Sequence, residues 1–172
     1  IGQNLSVTPF LSTTVMAAQA FSQGGTTTQK EFWLPKIAAG KTVVALAIDE
    51  GHKHQAEVYH TRAEKIDGCW FITGEKTFVI NGSSADALLV AAQVDNQAQL
   101  FLVDSAKENI TVDNQLMVDS HKTSRIQFAR TAAEPFTNGQ QALHAALLSG
   151  RAILAAELAG LTESAFEQTL SY

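Results

Sequence analysis

His52-Lys53-His54 sets two imidazoles two residues apart, a spacing that could hold a metal ion. Lys53 between them opposes a cation and no third ligand stands at a matching spacing, so the triplet reads as a solvated loop. Cys69 is the only cysteine, which rules out an internal disulfide. With no basic residue beside it in a predicted strand, it reads as a small core residue rather than a nucleophile. Leu148-Ser149-Gly150 lacks the G-x-S-x-G pattern of a nucleophile elbow. Neither G-x-G-x-x-G after a strand nor G-x-x-x-x-G-K occurs, so neither a Rossmann site nor a P-loop is supported. Local motifs alone name no metal site and no catalytic group.

The elements that would position a larger site are legible. Leu11, Val15, Ala18 and Phe21 recur at helical spacing, and Gly24-Gly25 supplies a stop. A second helix follows with threonine caps at 26–28 and a face of Phe32, Trp33 and Ile37; Pro35 should end or bend it. After Gly40 the texture turns to β. Thr42 to Ile48 is one strand, and His60 to Ile66 faces Cys69 to Thr73 across the tight turn Asp67-Gly68. Gly74-Glu75-Lys76 reads as a further turn into Thr77 to Ile80. Ala87 to Val94, Leu100 to Val103, Ile110 to Asp113 and Arg125 to Ala129 complete seven or eight short strands. Past Pro135, Leu143, Leu147, Leu154, Leu158, Leu161 and Phe166 restore the helical period, with Ser149-Gly150 as the expected break. The period is still running at Tyr172, as if more helices should follow. The fold class expected is α+β: a central antiparallel β-barrel or two-sheet domain over 41–136, flanked by helical segments over 1–40 and 137–172.

Composition excludes several classes. Apolar residues make up 45% of the chain, charged residues 17% and the net charge is −5, which fits a globular core and lacks the clustered cations that nucleic acid demands. No uninterrupted apolar run approaches about 18 residues, so no membrane span is expected. The lone thiol and the absence of a secretory signal point to a reducing cytoplasm, and the missing initiator Met suggests numbering that starts inside a longer protein.

Three collinear stretches resemble the acyl-CoA dehydrogenases. Gly25-Thr26-Thr27-Thr28-Gln29-Lys30 with Trp33-Leu34-Pro35-Lys36-Ile37-Ala38-Ala39-Gly40 is similar to that family's G-T-x-x-Q-K…Y-L-P-x-L-A-x-G helix-to-barrel junction. Gly74-Glu75-Lys76-Thr77-Phe78-Val79-Ile80-Asn81-Gly82-Ser83-Ser84-Ala85-Asp86 resembles its G-x-K-x-[FWY]-I-T-N-G-x-x-A-D segment. Gly150-Arg151, with Gly160 beyond, resembles the opening of its post-barrel helix.

The resemblance implies FAD as cofactor and α,β-dehydrogenation of an acyl-CoA thioester to a trans-2-enoyl-CoA, with electron-transfer flavoprotein or a similar acceptor as partner. It places a flavin wall on Phe78, Val79 and Ile80, and a flavin and CoA loop on Leu46, Ala47, Ile48 and Asp49, continuing through Glu50 to Gln55. Gln55 and Arg151 take the substrate side. Ile80 stands where family members commonly carry a hydroxyl that serves flavin N5, and Asp49 replaces a threonine. The catalytic glutamate is expected beyond Tyr172, so no general base is visible and the chain alone is expected to be inactive. These departures leave open a flavin-deficient partner subunit of a heteromeric dehydrogenase. An apolar-ligand β-barrel module needs no family at all. Either a homo- or a hetero-oligomer is compatible with the resemblance.

Overall fold

The computed structural model describes residues 8–54, 59–106, 108–118 and 122–172. A π-helix over Phe10–Ala17 passes directly into α1, Ala18–Gly24. The spacing of Leu11, Val15, Ala18 and Phe21 therefore marks a helix whose first half is wound wider than an α-helix. Gly25 turns extended and ends α1 as its glycine pair predicts. Thr26 then caps α2, Thr27–Ala38, through a reciprocal capping box: its hydroxyl accepts the Gln29 amide, and its own amide donates to the Gln29 side chain. Pro35 lies inside α2 and does not end it. The bond it forfeits would have gone to the carbonyl of exposed Glu31, which water can serve.

The strands are β1 (Val44–Ala47), β2 (Arg62–Ile66), β3 (Cys69–Ile80), β4 (Ala87–Val94), β5 (Gln97–Asp104), β6 (Ile110–Leu116) and β7 (Lys122–Pro135). Asp67 and Gly68 both have positive φ, 50° and 84°, the geometry that lets a two-residue turn follow strand twist. Asp95 and Asn96 repeat it between β4 and β5, at 48° and 64°. The turn expected at Gly74-Glu75-Lys76 is absent. β3 runs through it, because all three residues pair in register with Ile126 to Phe128 of β7 and that long ladder outweighs local turn chemistry. Cys69 is exposed rather than core: it follows the turn on the outward phase of β3, with Ile72 on the inner one.

The strands close on themselves. β4 pairs with β5 along one edge and with β1 and then β2 along the other; β2 continues to β3, β3 to β7, and β7 returns to β5, with β6 attached outside β7. The barrel is mixed rather than purely antiparallel, since β1 and β2 both run parallel to β4. Ala45, Ile72, Leu88, Val90, Phe101, Ile126 and Phe128 fill one core. Phe21, Val44, Leu89, Leu100, Phe136 and Leu143 fill a second, between barrel and helices. β4 feeds both cores by alternation and has no solvent face.

α3, Gly139–Ser171, is one continuous helix. The break expected at Ser149-Gly150 does not occur: the Ser149 hydroxyl donates to the Ala145 and Ala146 carbonyls, and Gly150 packs on Met16. Its first turns pack on α1, the π-helix and β5, whereas Leu154, Leu158, Phe166 and Leu170 are exposed. By length and a mean hydropathy of 1.3 over an 18-residue window it could cross a membrane, although it carries no uninterrupted apolar run of that length.

Candidate functional site

The site grows from an irregularity in β3. Between Lys76 and Val79 the pairing with β7 slips, and Phe78 takes φ 52°, a left-handed conformation costly for an aromatic residue. The slip re-aims the strand. Phe78 and Ile80 emerge 42% and 37% exposed, while Val79 between them is buried. Just past Ile80, Asn81 is left-handed and accepts a hydrogen bond from Ser12 Oγ of the π-helix at 3.0 Å.

The loop leaving β1 is pinned to the same bulge. Thr77 N donates to the Asp49 carbonyl at 2.7 Å, and Thr77 Oγ1 donates to the Gly51 carbonyl at 3.1 Å. Asp49 thus stands beside the Phe78–Ile80 segment on one wall. His54 Nδ1 lies 2.7 Å from Asp49 Oδ1, so this histidine partners the carboxylate. Leu46, Ala47 and Ile48 reach the wall only through their backbone, because their side chains are packed in the cores. Gln55 lies outside the described residues. Arg151 stands exposed on α3 and makes no hydrogen bond or ion pair with the wall.

Two residues that pattern reading passed over hold this arrangement. Lys76 is fully buried; its Nζ donates to the Ile48 carbonyl at 3.0 Å and to Glu50 Oε1 at 2.7 Å, and sits 4.6 Å from the Tyr59 ring centroid. Glu50 in turn accepts the backbone amides of His60 and, at 3.0 Å, Thr61. Burial pulls the Lys76 pKa down to about 8, with the Glu50 hydrogen bond and charge acting against it. Burial alone would raise the Glu50 pKa, but Lys76, His60 and Thr61 together bring it below its ordinary value.

These shifts set opposite pH dependences. Lys76 titrates lower folded than unfolded, so the folded state carries its cost in full below about pH 8 and sheds it as pH rises toward 10.5. Glu50 contributes stability above 4.5 that is lost as pH falls through its lowered value. Urea midpoints measured across pH should therefore contain an alkaline rise that Lys76→Met abolishes and an acid decline that Glu50→Gln reduces. A Lys76→Met profile parallel to wild type above pH 8 would contradict the assignment.

A separate cavity lies away from this wall. About 900 Å3 opens between α2 and the start of β3, lined by Phe32, Trp33, Lys36, Cys69 and Trp70, at the opposite end of β3 from Phe78.

Comparison with known proteins supplies what the wall alone does not. No family model matches the chain. Isovaleryl-CoA dehydrogenase of Arabidopsis thaliana is 40% identical over 77 residues, covering 44% of this chain and 19% of that protein. The short/branched chain specific acyl-CoA dehydrogenase of Rattus norvegicus is 26% identical over 166 residues, covering 88% of this chain and 38% of the relative. Among solved structures, a glutaryl-CoA dehydrogenase of Mycobacterium smegmatis in complex with FADH2 superposes with a TM-score of 0.82 at 24% identity, over 91% of this chain and 43% of that one.

In sequence and in fold the chain is similar to the acyl-CoA dehydrogenases. It spans less than half the length of these relatives. A second solved structure, the ChsE4-ChsE5 complex of Mycobacterium tuberculosis, has the same fold at a TM-score of 0.87 and 22% identity, over 99% of this chain and 46% of that one. Within the acyl-CoA dehydrogenase fold, several of the matched motif residues have structural work in this chain. Thr26 and Gln29 form the capping box, Gly74 lets β3 pass Thr61, and Asp86 Oδ2 accepts from Thr42 Oγ1 and Val43 N at the start of β1.

Proposed function

We propose that the protein containing this chain catalyses FAD-dependent α,β-dehydrogenation of an acyl-CoA thioester to a trans-2-enoyl-CoA. The observation that carries this reading is the shared wall, with the Asp49 loop hydrogen-bonded to the bulge that turns Phe78 and Ile80 outward. An outward aromatic and an outward aliphatic side chain on one strand offer a flat apolar face of the kind an isoalloxazine ring stacks on. The residues present fit the cofactor. Ile80 gives no hydrogen bond, but Thr123, its cross-strand partner on β7, keeps a buried hydroxyl with no partner among the described residues. A bound FAD would supply the hydride acceptor that this dehydrogenation needs, and Phe78, Ile80 and the backbone of 46–49 would hold it.

The α-proton goes to a carboxylate outside this wall. Asp49 is paired with His54, and Glu50 is held by Lys76, His60 and Thr61, so neither is free to serve as base. Phe78, Ile80 and the backbone of 46–49 hold the ring; Gln55 and Arg151 meet the substrate. The same reading divides the chain into the end of one helical domain over 1–40, a middle barrel domain over 41–136 and the start of another helical domain over 137–172. It includes an oligomer that hands electrons to electron-transfer flavoprotein or a similar acceptor. The relatives' names support a mitochondrial compartment as readily as the cytoplasm.

Purified full-length protein should be yellow, and its flavin should bleach on adding acyl-CoA with enoyl-CoA released. Restoring a hydroxyl with Ile80→Thr should tighten flavin binding by about fivefold, the yield of one net hydrogen bond of about 1 kcal/mol. Colourless, well-folded protein without turnover would overturn the reading. A second reading, a partner subunit without its own flavin, is favoured by Ile80 and by the two-component complex among the fold relatives. Co-expression with a second dehydrogenase subunit would then give a mixed oligomer with less than one flavin per chain.

A further inference from the structure

We infer that Lys76 is a positioning residue for the wall, its buried ammonium tying both ends of the β1–β2 loop to β3 and so fixing Asp49 against Phe78. What the wall holds rests on the flavin reading above; the tie itself does not. On the entry side of the loop, Lys76 Nζ grips the Ile48 carbonyl and the Glu50 carboxylate. On the exit side, the same carboxylate holds the His60 and Thr61 amides, and Tyr59 lays its ring beside the ammonium. The next residue, Thr77, binds the loop backbone at Asp49 and Gly51, and the residue after that is the outward Phe78. Consecutive residues of one strand thus hold the loop, space it from the bulge and present the aromatic face.

A lysine with no exposed surface cannot meet substrate, so a direct chemical role is excluded. Its depressed pKa points the same way: the charge is kept at a cost that a residue serving only to fill space would not carry. Methionine would fill a similar volume, but it could neither donate to the Ile48 carbonyl nor offset the Glu50 charge.

Lys76→Met and the double variant Glu50→Gln/Lys76→Met in the full-length protein test this, the double variant stranding no buried charge and so remaining foldable. Flavin affinity by fluorescence titration, the visible circular dichroism of bound flavin, kcat and KM are measured together with amide exchange at Thr61 and Thr77. The double variant should bind FAD about tenfold more weakly with an altered visible spectrum, and kcat should drop by on the order of 10²-fold, as expected for about 1 Å of misplacement. Faster exchange at Thr61 and Thr77 should accompany these losses. Wild-type affinity, spectrum and exchange in a folded double variant would overturn the inference. Should the wild-type protein bind no FAD, the flavin reading fails and exchange alone decides: accelerated at Thr61 and Thr77 in the variants, the tie stands; unchanged, it does not.

Discussion

Phe21→Ala should lower the free energy of unfolding by about 3–5 kcal/mol, the range for removing a fully buried aromatic side chain. Phe21 has no exposed surface and stacks on Trp33 of α2 at 5.9 Å and on Phe136, just past β7, at 5.4 Å. One ring therefore joins α1, α2 and the segment leading into α3. Its loss leaves a cavity and also two aromatic pairs unmade, each worth roughly 0.5–1.5 kcal/mol beyond burial. Phe32 is the matched control, since it touches Trp33 edge-on at 5.1 Å but is 51% exposed. Its alanine variant should cost no more than about 1 kcal/mol. Urea denaturation of both variants separates the two cases, and a Phe21 effect as small as that of Phe32 would mean the helices are not held through this ring.

Gly74→Val should be comparably damaging, by roughly 3–5 kcal/mol, because overpacking and backbone strain act on the same residue. Gly74 has φ +150°, and a Cβ there would stand 2.7 Å from Thr61 Cα and 2.8 Å from Thr61 Cβ. No rotamer relieves a contact with backbone. Thr61 is also the point at which Glu50 grips the loop exit and at which Gln93 N of β4 donates to the Thr61 carbonyl. A valine side chain therefore presses on the loop anchor and on a barrel seam together. The urea midpoint measures the destabilisation, and amide exchange at Gln93 reports the seam; protection there equal to wild type would place the strain elsewhere.

What the sequence disclosed, and what it withheld, follows from the range of the interactions. Asp67-Gly68 and Asp95-Asn96 announce tight turns through their own backbone preferences, and the run between turn signals gives β4 its observed limits, Ala87–Val94. The T-x-x-Q of α2 is likewise complete within one turn of helix. Gly74-Glu75-Lys76 has the local chemistry of a turn, but its conformation is decided by β7, some fifty residues away in sequence. Parallel pairing of β1 and β2 with β4 leaves no local mark for the same reason. Lys76 was open to discovery. Alternation from Ile72 through Gly74 puts residue 76 on the inner face, and an inward lysine must find a partner such as Glu50. At the wall, sequence located Asp49 and Phe78–Ile80, but not the His54 contact, which depends on how the loop folds back on itself.

The position of β4 bears on how the barrel assembles. Val44 must find Ala87, and Phe101 must find Pro135, before the circle of strands is complete, so neither seam can form by zipping outward from a hairpin. The β2–β3, β4–β5 and β6–β7 hairpins can form early and alone, whereas closure waits on encounters between distant stretches of chain, the slow kind of step in folding. Until that moment β4, apolar at every position but Gln93, is a ribbon with an unpaired edge, and this is when the newly made polypeptide is most exposed to pairing with another copy of itself.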